Sequence, residues 1–505
     1  MIGETSFPFQ GSGFFLCWSN GNTPVERVGT FKQAKYLAGY LGSKGAKSIV
    51  VEKEYIDGDY LEDFATYYVR CFEKYSSRCK RLHFFSTEFD VAAFDRDLAC
   101  RDETRDGTYQ SCYLGFVVVR PLPRAVVGRT LLKTYDPEGY RRRFRAIRKY
   151  DVSLFGIHLE IESLPFQEQD SVIAACATVA LWTAFHKTAG LFATTAPRPA
   201  VITNAANAVR PAKRIMPSRD LRIDQMCEAV RAVGLEPQVE PIGPRTPLAS
   251  LLYGYLEMDV PVVLVGCQRG DRAAGHAITV VGYAMGDAGS DIVERPVNGV
   301  VSIASKVDRL FVHDDNVGPF ARLKFLDAAE HNADARNDKI PFLLQGSDID
   351  GEPEPWFTPL VALIPIYGKV RLGFTDIHVW VQNFMMLMLA LQIDVPGSEW
   401  NIRLTDTQRL KREIRLRMAH VPNVTDLLAK PQPHYIWHAA LSSNGTPMID
   451  LLCDATGIAR SSPVFDVVWH DQQFHALVQE QVKRFPNPAA AAASEIGKLF
   501  ALLAK

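Results

Sequence analysis

Three short segments of the chain carry residues that could perform nucleophilic catalysis by a thiol. Cys176 lies in an apolar stretch, His276 is the second residue of the run Gly-His-Ala-Ile-Thr-Val-Val-Gly-Tyr, and Asp314 follows Leu-Phe-Val-His. A thiol attacks a carbonyl carbon as the thiolate, so it needs an imidazole to accept its proton and a third group to orient that imidazole. The sequence offers one candidate for each role, and it predicts a thiol-dependent hydrolase.

These residues need elements that hold them in place, and the local patterns predict such elements. We expect Cys176 near the start of a helix that Asp170 or Ser171 caps, where the positive end of the helix dipole favours a thiolate. Apolar and β-branched runs predict a strand that begins at His276 and a further strand that ends at Asp314. A helical half with the thiol would then face a sheet half with the imidazole and the carboxylate.

The sequence also allows other interpretations of the same residues. Buried cysteines are common as small hydrophobic residues, and Cys227 and Cys267 compete with Cys176 for the role of nucleophile. Neither competitor is expected at a helix N-terminus, which would stabilise its thiolate. Asp315 is the alternative to Asp314 as the group that orients the imidazole, because side-chain alternation does not decide between two residues where a strand ends.

The three segments resemble papain-like cysteine peptidases, and among these the branch that processes double-glycine bacteriocin leaders. The resemblance is carried by the segment around Cys176, by the Gly-His strand of His276 and by Phe-Val-His-Asp-Asp at residues 311–315, and it covers about residues 155–325. It implies a papain-like module with a helical half and an antiparallel sheet half. The fold class expected for the whole chain is therefore α+β, with an N-terminal α/β region and a C-terminal α+β region around this module.

The resemblance also implies residues for an oxyanion hole. In papain-like peptidases a glutamine about six residues before the cysteine helps to stabilise the oxyanion. Here Gln169 precedes Cys176 by seven residues and Gln167 by nine. The resemblance assigns the role to Gln169, together with the backbone N–H of Cys176. Ala177 and Thr178 stand where the family often has Gly and Pro. The chemistry that the family implies requires no metal ion and no organic cofactor.

At 505 residues the chain is too long for one ordinary core, and its patterns divide it into four parts. We expect an α/β region of unknown role over residues 1–150 and the papain-like domain over residues 151–330. A linker or long loop follows over residues 331–356, because this segment is rich in Asp, Asn, Gly and Pro. The C-terminal α+β region covers residues 357–505.

Composition argues against nucleic-acid and membrane partners. The formal net charge is -1, so the chain has no general attraction to nucleic acid or to anionic lipid, and the basic run at 140–149 is typical of a solvated helix face. The longest apolar run, at 384–391, is too short to span a bilayer. Nine scattered cysteines, and an N-terminus without a signal-peptide pattern, predict a cytoplasmic protein with reduced thiols.

Together these observations predict a cysteine peptidase that hydrolyses a peptide or isopeptide bond of a protein or peptide substrate through a Cys-His-Asp triad and an acyl-enzyme. Two alternatives stay open. A thiol acyltransferase or transglutaminase-like enzyme would use the same triad with an amine as acceptor. A catalytically inactive papain-like protein would only bind partners, since a fold does not guarantee activity. The sequence leaves the substrate and the oligomeric state open.

Overall fold

The chain folds into helices and antiparallel sheets. The structure is a computed structural model that describes residues 6–9, 13–88, 91–99, 106–170, 172–209, 221–243, 246–268, 275–286, 299–326, 343–347, 357–418, 421, 424–457, 462–484 and 503. The mixture of helix and antiparallel sheet confirms the α+β class that the sequence predicts for the chain as a whole.

The described residues form helices α1 (Gly13–Trp18), α2 (Val25–Val28), α3 (Lys32–Ser43), α4 (Gly58–Thr66), α5 (Val91–Ala99), α6 (Asp106–Cys112), α7 (Cys176–Phe192), α8 (Pro199–Ala206), α9 (Ile223–Ala232), α10 (Leu248–Leu256), α11 (Phe374–Ala390), α12 (Thr407–Arg417), α13 (Val424–Ala429) and α14 (Gln472–Arg484). The strands are β1 (Ser6–Pro8), β2 (Ser48–Tyr55), β3 (Cys79–Phe85), β4 (Tyr113–Val119), β5 (Val127–Leu132), β6 (Arg142–Arg143), β7 (Arg148–Leu154), β8 (Ile157–Ser163), β9 (Glu236–Pro241), β10 (Val262–Gln268), β11 (Gly275–Met285), β12 (Val307–Asp314), β13 (Gly318–Leu326), β14 (Leu343–Ser347), β15 (Phe357–Ile366), β16 (Ser398–Asp406), β17 (Tyr435–Ser443), β18 (Thr446–Asp454) and β19 (Val464–Trp469). Short 3₁₀ helices lie at Tyr68–Arg70, Glu138–Tyr140 and Ile303–Lys306.

The N-terminal sheet is antiparallel, which corrects the α/β class expected for residues 1–150. Its strand order is β1-β2-β3-β4-β5, and each neighbouring pair is antiparallel. The sequence alternates helices with strands, a pattern that is typical of parallel βαβ units. Here each connection returns the chain to the neighbouring strand in the opposite direction, and the order of elements along the sequence does not reveal that direction.

A second sheet holds the strands on which the candidate imidazole and carboxylate lie. Its order is β10-β11-β12-β13-β14-β15-β9, and β15 also pairs with β10, so this sheet closes on itself. The antiparallel pair β10–β11 sets His276 opposite Gly266, and the pair β12–β13 sets Asp314 opposite Gly318. The two candidate residues therefore lie at the ends of neighbouring strands.

Helix α7, which begins at the candidate thiol, is buried along most of its length. Its residues are apolar or small on almost every face, and Trp182 is fully buried. The helix ends where Ala193 adopts a left-handed conformation with φ of 52°. The Thr279 hydroxyl of β11 donates a hydrogen bond to the Ala180 carbonyl at 2.8 Å. This bond fixes the helix against the strand that carries His276.

The chain divides into two compact units. The first comprises residues 1–241, 261–284 and 309–365, and it contains the N-terminal sheet and α7. The second comprises residues 242–260, 285–308 and 366–505. Its antiparallel sheet has the order β16-β17-β18-β19, and Leu410 and Ile414 of α12 belong to a core with Ile436 and Leu452 of that sheet.

The domain boundaries expected at residues 150, 330 and 356 stay a prediction. The expected linker at 331–356 lies outside the described residues, except for β14. Within the described part of the chain, no helix combines the length and the apolar character that a membrane span requires.

Candidate active site

Cys176 is the first residue of α7 and directly follows the N-cap residue Ala175. The expectation that Asp170 caps this helix is wrong, because its carboxylate accepts the N–H groups of residues 172–174, which precede the helix. Ser171, the other expected cap, lies outside the described residues. Ala175 offers no side-chain acceptor to the first N–H groups of α7, which can therefore stabilise an anion near the sulfur.

His276 and Asp314 form a buried hydrogen-bonded pair. Nε2 of His276 lies 2.8 Å from Oδ1 of Asp314, and the two residues are 4% and 7% exposed. The same Asp314 oxygen accepts the N–H of Asn316 at 2.9 Å, which holds the carboxylate at the start of the turn between β12 and β13. Phe357 meets the imidazole edge-on, with ring centroids 6.1 Å apart. These contacts fix the orientation of the ring.

Asp315, the alternative orienter, is also buried but lies farther from the imidazole. Its Oδ1 is 3.9 Å from Nε2 of His276, and its Oδ2 has no hydrogen-bond partner among the residues that the structure describes. Asp314 is therefore the better placed of the two carboxylates. Asp315 acts on the ring through charge rather than through a hydrogen bond.

The Cys176 thiol interacts with the same imidazole, and this interaction contributes to the pKa of the ring. Because Nε2 of His276 faces Asp314, the ring atom left for the thiol is Nδ1. Burial alone would lower the pKa of His276. The charge and hydrogen bond of Asp314, the thiol contact and the charge of Asp315 outweigh burial and raise this pKa well above its usual range. The protonated imidazole is thus favoured at neutral pH, which is the partner that a thiolate needs.

The structure therefore brings Cys176, His276 and Asp314 together. The two candidate glutamines differ in how deeply they are buried. Gln169 is half-buried. Gln167 is 2% exposed, and its Nε2 has no hydrogen-bond acceptor among the described residues. A buried N–H without an acceptor is costly unless a ligand completes it. Spacing favoured Gln169, and no sequence pattern marks Gln167 as buried, since the next residues, Glu168 and Gln169, are polar.

The competing cysteines have less suitable surroundings. Cys227 lies in the middle of α9, and burial raises the pKa of its thiol against the opposing charge of Arg231. Cys267 is half-buried near the end of β10, opposite Gly275. Neither cysteine lies at a helix N-terminus. Cys176 is therefore the better candidate for a nucleophile.

The imidazole and the two carboxylates are also the groups that could hold a metal ion. His276, Asp314 and Asp315 each offer one ligand atom, and these atoms lie within 4.8 Å of one another. A cation bound there would have to replace the proton that Nε2 shares with Asp314, and it would break the contact that orients the ring. The donor set therefore fits an orienting pair better than a metal centre.

Comparisons with known proteins add no family assignment. No protein-family model matches the sequence, and no curated protein matches it significantly. We therefore infer the function from the geometry of these side chains and from the short motifs that carry them.

The substitution Asp315→Asn should make the stability of the protein less sensitive to pH. Burial, assisted by the charge of Asp314 and opposed by that of His276, raises the pKa of Asp315 to about 7. An acid with a higher pKa in the folded state binds more protons when folded, so its contribution to the free energy of unfolding falls as pH rises from about 4 to about 7. The asparagine removes this fall.

Thermal unfolding near pH 4.5 and near pH 8 measures the effect, with Asp394→Asn, at an exposed position, as control. The melting temperature of Asp315→Asn relative to wild type should rise between the two conditions, whereas the control should show no such trend. A constant difference for Asp315→Asn would contradict a buried carboxyl with a raised pKa at this position.

Proposed function

We propose that the protein is a cysteine peptidase that hydrolyses a peptide or isopeptide bond through Cys176, His276 and Asp314. The observation that carries the proposal is the continuous chain of contacts from the thiol at the start of α7, through the imidazole, to the buried carboxylate. Acyl transfer through a thiol requires a nucleophile, a base and an orienting group within hydrogen-bonding reach of one another. The motifs that resemble papain-like peptidases support the same proposal.

In the proposed reaction the thiolate of Cys176 attacks the carbonyl carbon of the scissile bond, and the carbonyl π electrons move to oxygen. The N–H of Cys176 and the amide of Gln167 stabilise this oxyanion. As the C–N bond breaks, His276 donates a proton to the leaving amine. The imidazole then removes a proton from water, which attacks the thioester and releases the acid and the thiol.

The helix start and the carboxylate stabilise opposite charges in this reaction. The uncapped N–H groups and the dipole of α7 favour negative charge at Sγ of Cys176. Asp314 favours positive charge on His276, since it raises the pKa of that ring. The imidazolium is therefore supported before a substrate binds, next to a helix start that would stabilise negative charge on the sulfur. The proposed substrate is a protein or peptide segment, whose amide carbonyl is the electrophile.

Cys176→Ala should abolish hydrolysis and change the melting temperature little. The substitution removes the nucleophile, whereas the loss of one small side-chain group costs at most about 1 to 2 kcal/mol in the free energy of unfolding. In the wild type, iodoacetamide should alkylate Cys176 faster than the other cysteines, because this thiol faces an imidazole. Peptide mapping by mass spectrometry and turnover of a peptide library measure the two effects.

The matched control for this experiment is Cys267→Ala, which removes a half-buried thiol near the same strand edge. It should leave hydrolysis unchanged. Retained hydrolysis in Cys176→Ala, or equal alkylation of Cys176 and Cys267, would contradict the proposal.

A chelator should also leave hydrolysis by the wild type unchanged. Loss of wild-type activity in the chelator would indicate a metal ion at the carboxylates instead. The product masses separate hydrolysis from transfer of the acyl group to an amine.

Asp314→Asn should lower kcat/KM by about 10² to 10⁴-fold and move the alkaline limb of the pH–rate profile to lower pH. Asp314 raises the pKa of His276, so the imidazolium persists until pH passes that raised value. Without the carboxylate the ring loses its proton at lower pH. The matched control is Asp315→Asn, whose carboxyl lies 3.9 Å from Nε2. A larger shift in the control would assign the orienting role to Asp315.

The two glutamines are tested by the pair Gln167→Ala and Gln169→Ala. The buried amide without an acceptor predicts the larger effect for Gln167→Ala, a loss of about 10²-fold in kcat with little change in KM. Steady-state kinetics on one substrate compares the two variants directly. A larger loss of kcat in Gln169→Ala would support the role that the family spacing assigns to that residue.

A further inference from the structure

We propose that the N-terminal region, residues 13–132, positions the groups that react at the candidate active site and is required for their reactivity; this inference rests on the proposed thiol chemistry. Side chains and strands of this region contact three backbone segments, which carry or flank Gln167, Cys176 and Asp314. All of these contacts lie within the first compact unit. The region thereby acquires a role that its own sequence does not indicate.

The first contact acts on the segment that leads into Cys176. The Tyr68 hydroxyl donates a hydrogen bond to Oδ2 of Asp170 at 2.7 Å. Oδ1 of the same carboxylate accepts the N–H groups of residues 172–174 at 2.9 to 3.0 Å. Helix α7 begins two residues later, so the orientation of this carboxylate determines where the first turn of the helix, and with it Sγ of Cys176, is placed.

The second contact holds the segment that contains Gln167. Phe166 and Thr130 exchange two backbone hydrogen bonds, at 2.8 and 3.0 Å, and the N–H of Glu168 donates to a carbonyl of β5 at 3.0 Å. This segment therefore extends the N-terminal sheet beyond β5. The buried guanidinium of Arg120 also donates to the Glu168 carbonyl, at 2.9 Å. Gln167 lies between the paired residues, so the edge of the N-terminal sheet determines where its backbone runs.

The third contact fixes the turn that follows the orienting carboxylate. From α3, Nε2 of Gln33 donates to the Asp315 carbonyl at 2.9 Å, and the Tyr36 hydroxyl donates to the Pro319 carbonyl at 2.9 Å. Gly318 lies so close to the Tyr36 ring that a Cβ atom at this position would overlap it. One helix therefore holds both ends of the turn.

These contacts bear on reactivity because attack and proton transfer depend on fine alignment of the reacting atoms. A displacement of about 1 Å at a catalytic group can lower a rate by about 10²-fold. If the contacts only contributed to folding, removing one hydroxyl would lower the melting temperature and leave the reactivity of the folded protein unchanged. This difference separates a positioning role from a structural one.

The test compares Tyr68→Phe with Tyr109→Phe in the full chain. Both tyrosines are buried in the same core, and both hydroxyls donate to an aspartate: Tyr68 to Asp170 at 2.7 Å and Tyr109 to Asp97 at 2.9 Å. Two readouts are used, the rate of alkylation of Cys176 by iodoacetamide and hydrogen exchange of residues 172–176. The kcat and KM of hydrolysis are measured on the same proteins.

For Tyr68→Phe we expect alkylation of Cys176 and kcat to fall roughly tenfold, with KM unchanged and faster exchange confined to residues 172–176. Tyr109→Phe should retain wild-type values at the site. Wild-type exchange and wild-type alkylation in Tyr68→Phe would overturn the inference. If wild-type Cys176 is itself alkylated no faster than other cysteines, the proposed function fails, and the exchange comparison still decides whether Tyr68 positions the segment.

A second pair keeps the inference testable if Tyr68→Phe unfolds. Gln33→Leu removes the donor to the Asp315 carbonyl, whereas Gln110→Leu removes a comparable amide that bonds the backbone of Glu160. Gln33→Leu should lower kcat and shift the alkaline limb of the pH–rate profile, because Asp314 is displaced from His276. Equal kcat values and equal profiles in the two variants would overturn the role of α3.

Discussion

The buried hydrogen bond between His276 and Asp314 is the interaction on which the site depends. It occupies Nε2, so that Nδ1 is left to face the thiol, and it raises the pKa of the imidazole against the effect of burial. A single charge at this depth would be expensive, but a hydrogen-bonded pair offsets that cost. The second buried carboxylate, Asp315, makes the region crowded with acidic groups. The positive charge of the His276 ring offsets the repulsion between the two carboxylates.

That pair is useful only if the sulfur of Cys176 is held against it, and the fold does so with elements from distant parts of the chain. The thiol begins a buried helix, the imidazole begins one strand, and the carboxylate ends the neighbouring strand. The N-terminal sheet and α3 contact the segments on either side of these groups. The large region that precedes the motifs is therefore hydrogen-bonded to the segments that flank the site residues.

Local patterns were enough to predict the elements on which the site is built. The apolar runs around His276 and before Asp314 are formed by residues that are adjacent in sequence. Both strands lie where these runs predict them. The helix was also predicted, but not its first residue. Asp170 has the sequence features of a helix cap, yet its carboxylate accepts the N–H groups of a segment before the helix and a hydrogen bond from the Tyr68 hydroxyl, which is distant along the chain.

The features that the sequence does not reveal depend on residues far apart along the chain. The burial of Gln167 follows from the pairing of Phe166 with Thr130, and no local pattern encodes that pairing. The antiparallel direction of the N-terminal strands is likewise a property of the connections. Sequence spacing favours Gln169, which is half-buried, because spacing carries no information about such distant pairings. The buried amide without an acceptor belongs to Gln167.

If the proposed chemistry is correct, the sulfur of Cys176 becomes acylated during turnover. The most direct measurement is rapid acid quench of the protein with an activated peptide ester, followed by mass spectrometry of the intact chain and of its proteolytic fragments. We expect a transient thioester on Cys176, which should be absent in Cys176→Ala and longer-lived in Asp314→Asn because water is activated more slowly. Turnover of the ester without an adduct at Cys176, or with the acyl group on another residue, would contradict it.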